Sequence, residues 1–169
     1  MMSRATQKME RLSEREFAVS RTFTAPRELV WQAWTQCEHL RQWWAPEGWS
    51  VPVCKMDFRV GGTWHYCMKG PMPDGSEAES WGLTVYQEIV EPERIVALDQ
   101  FADAEGNVAA EMPKMLNTIT FTAVNGQTLV HSHMEVASAV ELETIINMGM
   151  EEGMTQSWDQ LEAHLAQLQ

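Results

Sequence analysis

The sequence predicts an α+β fold: a curved, seven-stranded antiparallel sheet wrapped on a long C-terminal helix, with two short helices between the first and second strands. Three observations predict it. Between Val51 and Val136, alternating apolar segments are interrupted five times by turn residues. After Ala139 the apolar spacing changes from two to three or four. Near the start, one alternating segment leads into two helix-like stretches that stop before Pro46.

Residues 1–15 are polar, mixed in charge and without sustained period. They are expected to form a mobile lead-in with at most one frayed helical turn, and residues 16–169 to form one domain. Phe17, Val19 and Phe23 alternate with Ala18, Ser20 and Thr22, giving the first strand, and Arg21 breaks its apolar face at an expected bulge. Pro26 suits a first helical turn, with Glu28 near the positive end of the dipole, and Val30, Ala33, Trp34 and Cys37 follow at helical spacing. A second short helix is expected through Glu38 to Trp44.

Six further strands are read at Val53–Arg59, Thr63–Met68, Ser80–Ile89, Ile95–Phe101, Asn117–Val124 and Thr128–Val136. Their separators are Gly61-Gly62, Pro73-Asp74-Gly75, Glu91-Pro92-Glu93, Asp103–Gly106 and Asn125-Gly126, the last being the strongest hairpin signal because both residues tolerate positive φ. Ile146, Met150, Met154, Trp158, Leu161, Leu165 and Leu168 then form one helical stripe, predicting a helix long enough to span the sheet. Gly149 and Gly153 lie on or beside it, each costing about 1 kcal/mol relative to alanine in a helix interior. Close backbone packing, a bend, or space left for a ligand would account for them.

Composition bounds the function. With 12 basic against 24 acidic residues, the formal charge is −12, which repels phosphate backbones and anionic lipid. Nucleic acid and membrane are therefore not expected partners. No apolar run approaches the roughly 18 residues of a membrane span, and Met1–Glu16 is too charged for a signal peptide, so a cytoplasmic location is expected. Cys37, Cys54 and Cys67 lack the paired close spacing of a zinc or redox motif and read as buried reduced thiols. Eight Trp and twelve Met supply large, adaptable apolar area, suited to an irregular cavity or to an aromatic-rich core.

The wording of the chain resembles a known family. Val19-Ser20-Arg21-Thr22-Phe23-Thr24-Ala25-Pro26-Arg27-Glu28-Leu29-Val30-Trp31, followed by His39-Leu40-Arg41-Gln42-Trp43-Trp44-Ala45-Pro46, is similar to the opening of proteins grouped with the activator of the heat-shock-protein-90 ATPase. The likeness continues at Asp57–Gly62, Pro73-Asp74-Gly75, Glu91–Val96 and Glu152–Trp158, covering residues 17 to 168 in order. This branch lies in the helix-grip (SRPBCC, START/Bet v-like) superfamily, and the resemblance implies that fold, with a pocket between the long helix and the sheet. It also implies a cochaperone-like role in stress response as one alternative, although no second chaperone-binding domain is recognisable.

Candidate pocket residues are Trp43, Trp44, Trp64, Tyr66, Trp81, Phe101, Met115, Met150, Met154 and Trp158, because ligand sites are concave and apolar with a few polar anchors. These side chains could equally fill the core. His131, His133 and Glu135 share a strand face, a geometry open to a metal ion, to solvated histidines, or, if that face looks into the cavity, to polar anchors. No third imidazole is placed within reach, so neither metal nor cofactor is expected. Asp57 and Arg59 read as a structural ion pair, and Asp74, Glu77 and Glu79 as acidic loop residues. No serine elbow, phosphate loop or dinucleotide fingerprint is present.

The expected function is noncatalytic binding of a small hydrophobic or amphipathic molecule, by a monomer or homodimer. A protein-interaction module of cochaperone type and a cyclase- or hydrolase-like enzyme using the same cavity are the alternatives.

Overall fold

Alternation along each strand sorts the side chains onto two faces, and the apolar set marks the side covered by helices. The computed structural model describes residues 7–169. In chain order the elements are β1 Lys8–Arg11, β2 Glu16–Phe23, α1 Arg27–Thr35, α2 Cys37–Trp43, β3 Ser50–Met56, β4 Thr63–Pro71, β5 Glu77–Val90, β6 Arg94–Ala102, β7 Lys114–Val124, β8 Gln127–Glu135, α3 Ala139–Asn147 and α4 Met150–Gln167. All eight strands form one antiparallel sheet in the order β1-β2-β8-β7-β6-β5-β4-β3. The α+β architecture, one antiparallel sheet with four helices, fits a helix grip.

The inner face is continuous across the registers. Val19 lies opposite Ser132, Ala97 opposite Asn117, Tyr86 opposite Ala97 and Trp64 opposite Thr84. Over it lies an aromatic core centred on Trp34 of α1, whose ring meets Trp43 at 4.7 Å, Phe121 at 5.4 Å and Trp158 at 5.8 Å, all edge-on. Edge-to-face contacts of this kind add about 0.5–1.5 kcal/mol each beyond the area they bury.

Several expectations are corrected. The sheet has eight strands, not seven, because Lys8–Arg11 pairs with β2 and turns Met9 toward the core, within the segment expected to be a lead-in. The rest of that lead-in, residues 1–6, lies outside the described residues. β3 starts at Ser50 and ends at Met56, leaving Asp57–Gly62 as a turn braced by the Arg59–Asp57 pair at 2.8 Å.

Arg21 makes no bulge. It keeps the inward position opposite Val130, is fully buried, and its Nη2 donates to Asp159 of α4 at 2.6 Å while its guanidinium lies 5.6 Å from the Phe23 ring. Register shifts fall instead between Ser50 and Val53 and between Tyr86 and Glu88.

The C-terminal helical segment is divided. Ser138 caps α3 by accepting from the Glu141 backbone N–H at 3.2 Å, and Gly149, at φ 91°, separates α3 from the 18-residue α4. A left-handed conformation is accessible to glycine without a Cβ clash, so Gly149 ends a helix rather than sitting inside one. Cys37 and Cys54 are joined in a disulfide, since the packing of α2 on β3 brings their Cα atoms to 5.9 Å. Cys67 is free and buried, as expected of a reduced thiol.

Candidate functional site

The site is framed by main-chain contacts from α4 to the end of α2. The last carbonyls of a helix have no partner within it. Here Gln160 Nε2 donates to the carbonyls of Trp43 and Ala45, at 3.3 and 2.5 Å, and Ser157 Oγ donates to that of Trp44 at 2.8 Å. Gln156 Oε1 accepts from the Glu47 backbone N–H at 3.1 Å. A further link joins His39 Nδ1 and His164 Nε2 at 2.9 Å, and burial, then the neighbouring imidazole, holds His164 below the usual histidine range. Trp43 is fixed by donating Nε1–H to the Ala33 carbonyl at 3.0 Å.

Between this frame and β4 lies a pocket of about 220 Å³ lined by Trp43, Trp44, Pro46, Tyr66, Met68, Met150, Gly153, Met154, Ser157 and Trp158. Gly153 is helical, and nothing within 4 Å would meet a Cβ built on it, so its missing side chain leaves the wall open. Tyr66 packs at 4.4 Å on Trp64 and at 5.8 Å on Trp44. It can do so because its cross-strand neighbour is Gly82, where a Cβ would strike the phenol at 2.5 Å.

Behind Tyr66 and Met68 a hollow of about 70 Å³ reaches Gly82, Asp99, Phe101 and Met115. A smaller void of about 30 Å³ joins Asp99 to Trp44, Trp64, Thr84, Tyr86 and Asn117. Asp99 therefore borders both spaces and is itself half-buried.

Asp99 is held by neutral donors. Thr84 Oγ1 donates to its Oδ1 at 2.8 Å and Asn117 Nδ2 to its Oδ2 at 3.4 Å, while Ser132 Oγ donates to Asn117 Oδ1 at 2.8 Å. Burial pushes the carboxyl up to about 6, against the pull of the Thr84 and Asn117 hydrogen bonds. Burial, and next the Asp99 charge, push Tyr66 and Tyr86 above the usual phenol range. A carboxylate among aromatic rings and amide and hydroxyl donors can bind a polar group of an otherwise apolar molecule.

The sequence candidates are distributed accordingly. Trp43, Trp44, Tyr66, Met150, Met154 and Trp158 gather at the main pocket; Phe101 and Met115 border the hollow; Trp64 borders the small void. Trp81 borders the hollow through its place in β5, while its ring stacks 5.1 Å from His65 on the outer face and its Nε1 donates to Glu79.

His131 and His133 are not brought to the pocket. Val130, Ser132 and Met134 take the inner side of β8, which leaves His131 exposed and places His133 Nε2 2.9 Å from Glu16 Oε1 on the outer face. Among the described residues, no three His, Cys, Asp or Glu side chains are grouped to hold a metal ion. Asp99, Thr84, Asn117, Ser157 and Gln160 were missed. Counting by twos from Ile95 and Ala97 places Asp99 on the inner face, and that was the available signal.

Residues 24–166 match the family model described as "Activator of Hsp90 ATPase homolog 1-like protein". A crystal structure of protein Ms6760 from Mycobacterium smegmatis is similar, with 30% identity, 94% of this chain and 95% of that chain covered, and a TM-score of 0.84. A solution structure from Staphylococcus epidermidis has 31% identity, covering 96% and 95%, with a TM-score of 0.82. One from Arthrobacter aurescens has 27% identity, covering 95% and 91%, with a TM-score of 0.83. No curated protein matches the chain.

Proposed function

We propose that this chain, which belongs to the Activator of Hsp90 ATPase homolog 1-like family, binds a small amphipathic molecule without transforming it, in the pocket between α2, α4 and the sheet. The observation that carries this reading is a pocket of about 220 Å³ with a largely apolar wall, backed by a hollow that ends on Asp99. Sites for small molecules have this composition, a concave apolar wall with few polar groups. Trp and Met supply the contact area, and the ligand-binding residues proposed are Trp43, Trp44, Trp64, Tyr66, Phe101, Met115, Met150, Met154 and Trp158, with Asp99 as the polar anchor in place of the histidines.

The test uses N-phenyl-1-naphthylamine, which is uncharged at neutral pH. Binding to the native protein should raise probe fluorescence and Tm together, since a ligand selective for the folded state stabilises it. Gly153→Leu, which projects a side chain into the open wall, should abolish both effects while Gly153→Ala keeps them. Equal binding to wild type and Gly153→Leu, or no binding to either, would refute the reading.

The family description itself favours a second reading, a cochaperone-type interaction module. Its test is the ATPase rate of an Hsp90-type chaperone with and without the protein. An unchanged rate removes that reading and leaves the pocket untouched.

A further inference from the structure

Resting on the ligand-pocket reading, we propose that the inner end of the pocket is a cation subsite, in which Asp99 receives the ammonium group of a small aryl-alkyl amine whose ring lies in the outer pocket.

Four observations converge on this. First, Asp99 has no basic partner: among the described residues, no lysine, arginine or histidine lines the pocket, the hollow or the void. A buried carboxylate is ordinarily paired. Second, each of its oxygens accepts one protein hydrogen bond, from Thr84 and from Asn117, whereas a carboxylate offers about four acceptor sites. Asp99 borders both the hollow and the void.

Third, the surroundings suit a cation in particular. Trp44, Trp64 and Tyr86 border the same void as Asp99, and Tyr66 walls the hollow, so an ammonium group here would lie among aromatic rings as well as beside the carboxylate. An anion brought here would meet the Asp99 charge with nothing to offset it. Fourth, the chain carries a formal charge of −12, which draws cations toward its surface and repels anions.

The geometry also sets the size. Tyr66 and Met68 are walls common to the outer pocket and the hollow, so the two spaces adjoin, with the flexible Met68 side chain between them. One ring fits the outer pocket of about 220 Å³, and a two-carbon arm carrying nitrogen suits the hollow of about 70 Å³. Among the described residues, the other titratable groups facing Asp99 are the phenols of Tyr66 and Tyr86, which stay protonated at neutral pH. With its carboxyl near 6, Asp99 is ionised there and ready to pair.

The experiment is calorimetric titration of the full-length protein at about pH 7.5 with three matched probes: 2-phenylethylamine, 2-phenylethanol and phenylacetate. The amine should bind at least about tenfold more tightly than the alcohol, with phenylacetate weakest. In Asp99→Asn the amine's advantage over the alcohol should vanish. The cation subsite is overturned if the alcohol matches the amine in the native protein, or if Asp99→Asn retains the amine preference. Pocket binding survives either result, because the alcohol still binds. If no probe binds and N-phenyl-1-naphthylamine also fails, the pocket reading falls and takes the subsite with it.

Discussion

Replacing Asp99 by asparagine removes a charge that the fold holds at a disadvantage, and the size of the effect follows from its acidity. Burial moves the carboxyl from 3.8 to about 6. At about 1.4 kcal/mol per pH unit, that displacement is worth about 3 kcal/mol as an upper figure. Its sign is fixed by linkage. A raised carboxyl contributes stability fully present below about pH 4, where both states are protonated, and lost as pH rises through about 6. The native protein should therefore lose up to about 3 kcal/mol relative to Asp99→Asn between about pH 4 and pH 7. Urea unfolding of both proteins across that range, followed by tryptophan fluorescence, reads the difference directly. The lowered histidine His164 and the lowered carboxyls Glu16, Asp74, Glu88 and Asp103 titrate in both proteins and cancel in the subtraction. A difference constant within about 0.5 kcal/mol over the whole range would refute the argument that Asp99 is desolvated.

The Arg21–Asp159 pair should respond unequally to loss of either partner. Asp159→Ala strands a guanidinium whose side chain is 0% exposed and should cost about 3–5 kcal/mol, whereas Arg21→Met leaves a carboxylate that is 30% exposed and can rehydrate, for a smaller loss. Equal losses in urea titrations would refute that asymmetry. Two glycines one turn apart should give opposite signs: Gly149→Ala, at φ 91°, should destabilise by about 1–2 kcal/mol, and Gly153→Ala, helical and unobstructed, should stabilise by up to about 1 kcal/mol, both read from thermal unfolding.

Those glycines also mark how far the sequence could be read. The apolar stripe runs unbroken from Ile146 through Met150 to Met154, so periodicity alone merges α3 with α4. Only the backbone angle at Gly149 separates them. Strands β4 to β8 were legible because period-two alternation is local, and the Asn125-Gly126 turn takes the positive φ its residues permit. β1 was not, since four residues of mixed polarity form a strand only when the edge of β2 is there to receive them. The disulfide was equally hidden, because it depends on α2 meeting β3 rather than on spacing.

Within the site, the aromatic and methionine candidates were legible as large apolar side chains on inner faces. The polar residues bordering the pocket are less legible. His131 and His133 drew notice as a pair, yet Val130 and Met134 compete for the inner face of the same strand and win by hydrophobicity. Asp99 sits beside Gln100 and looks like surface until its strand is counted by twos from Ile95.

Gln156, Ser157 and Gln160 grip the backbone of residues 43–47 and ask nothing of the side chains there. The scaffold of the chamber and its lining are therefore separately adjustable. Exchanging Met68, Met150 and Met154 for residues of other shape would recast the pocket, while the three polar side chains of α4 keep the opposing wall in place.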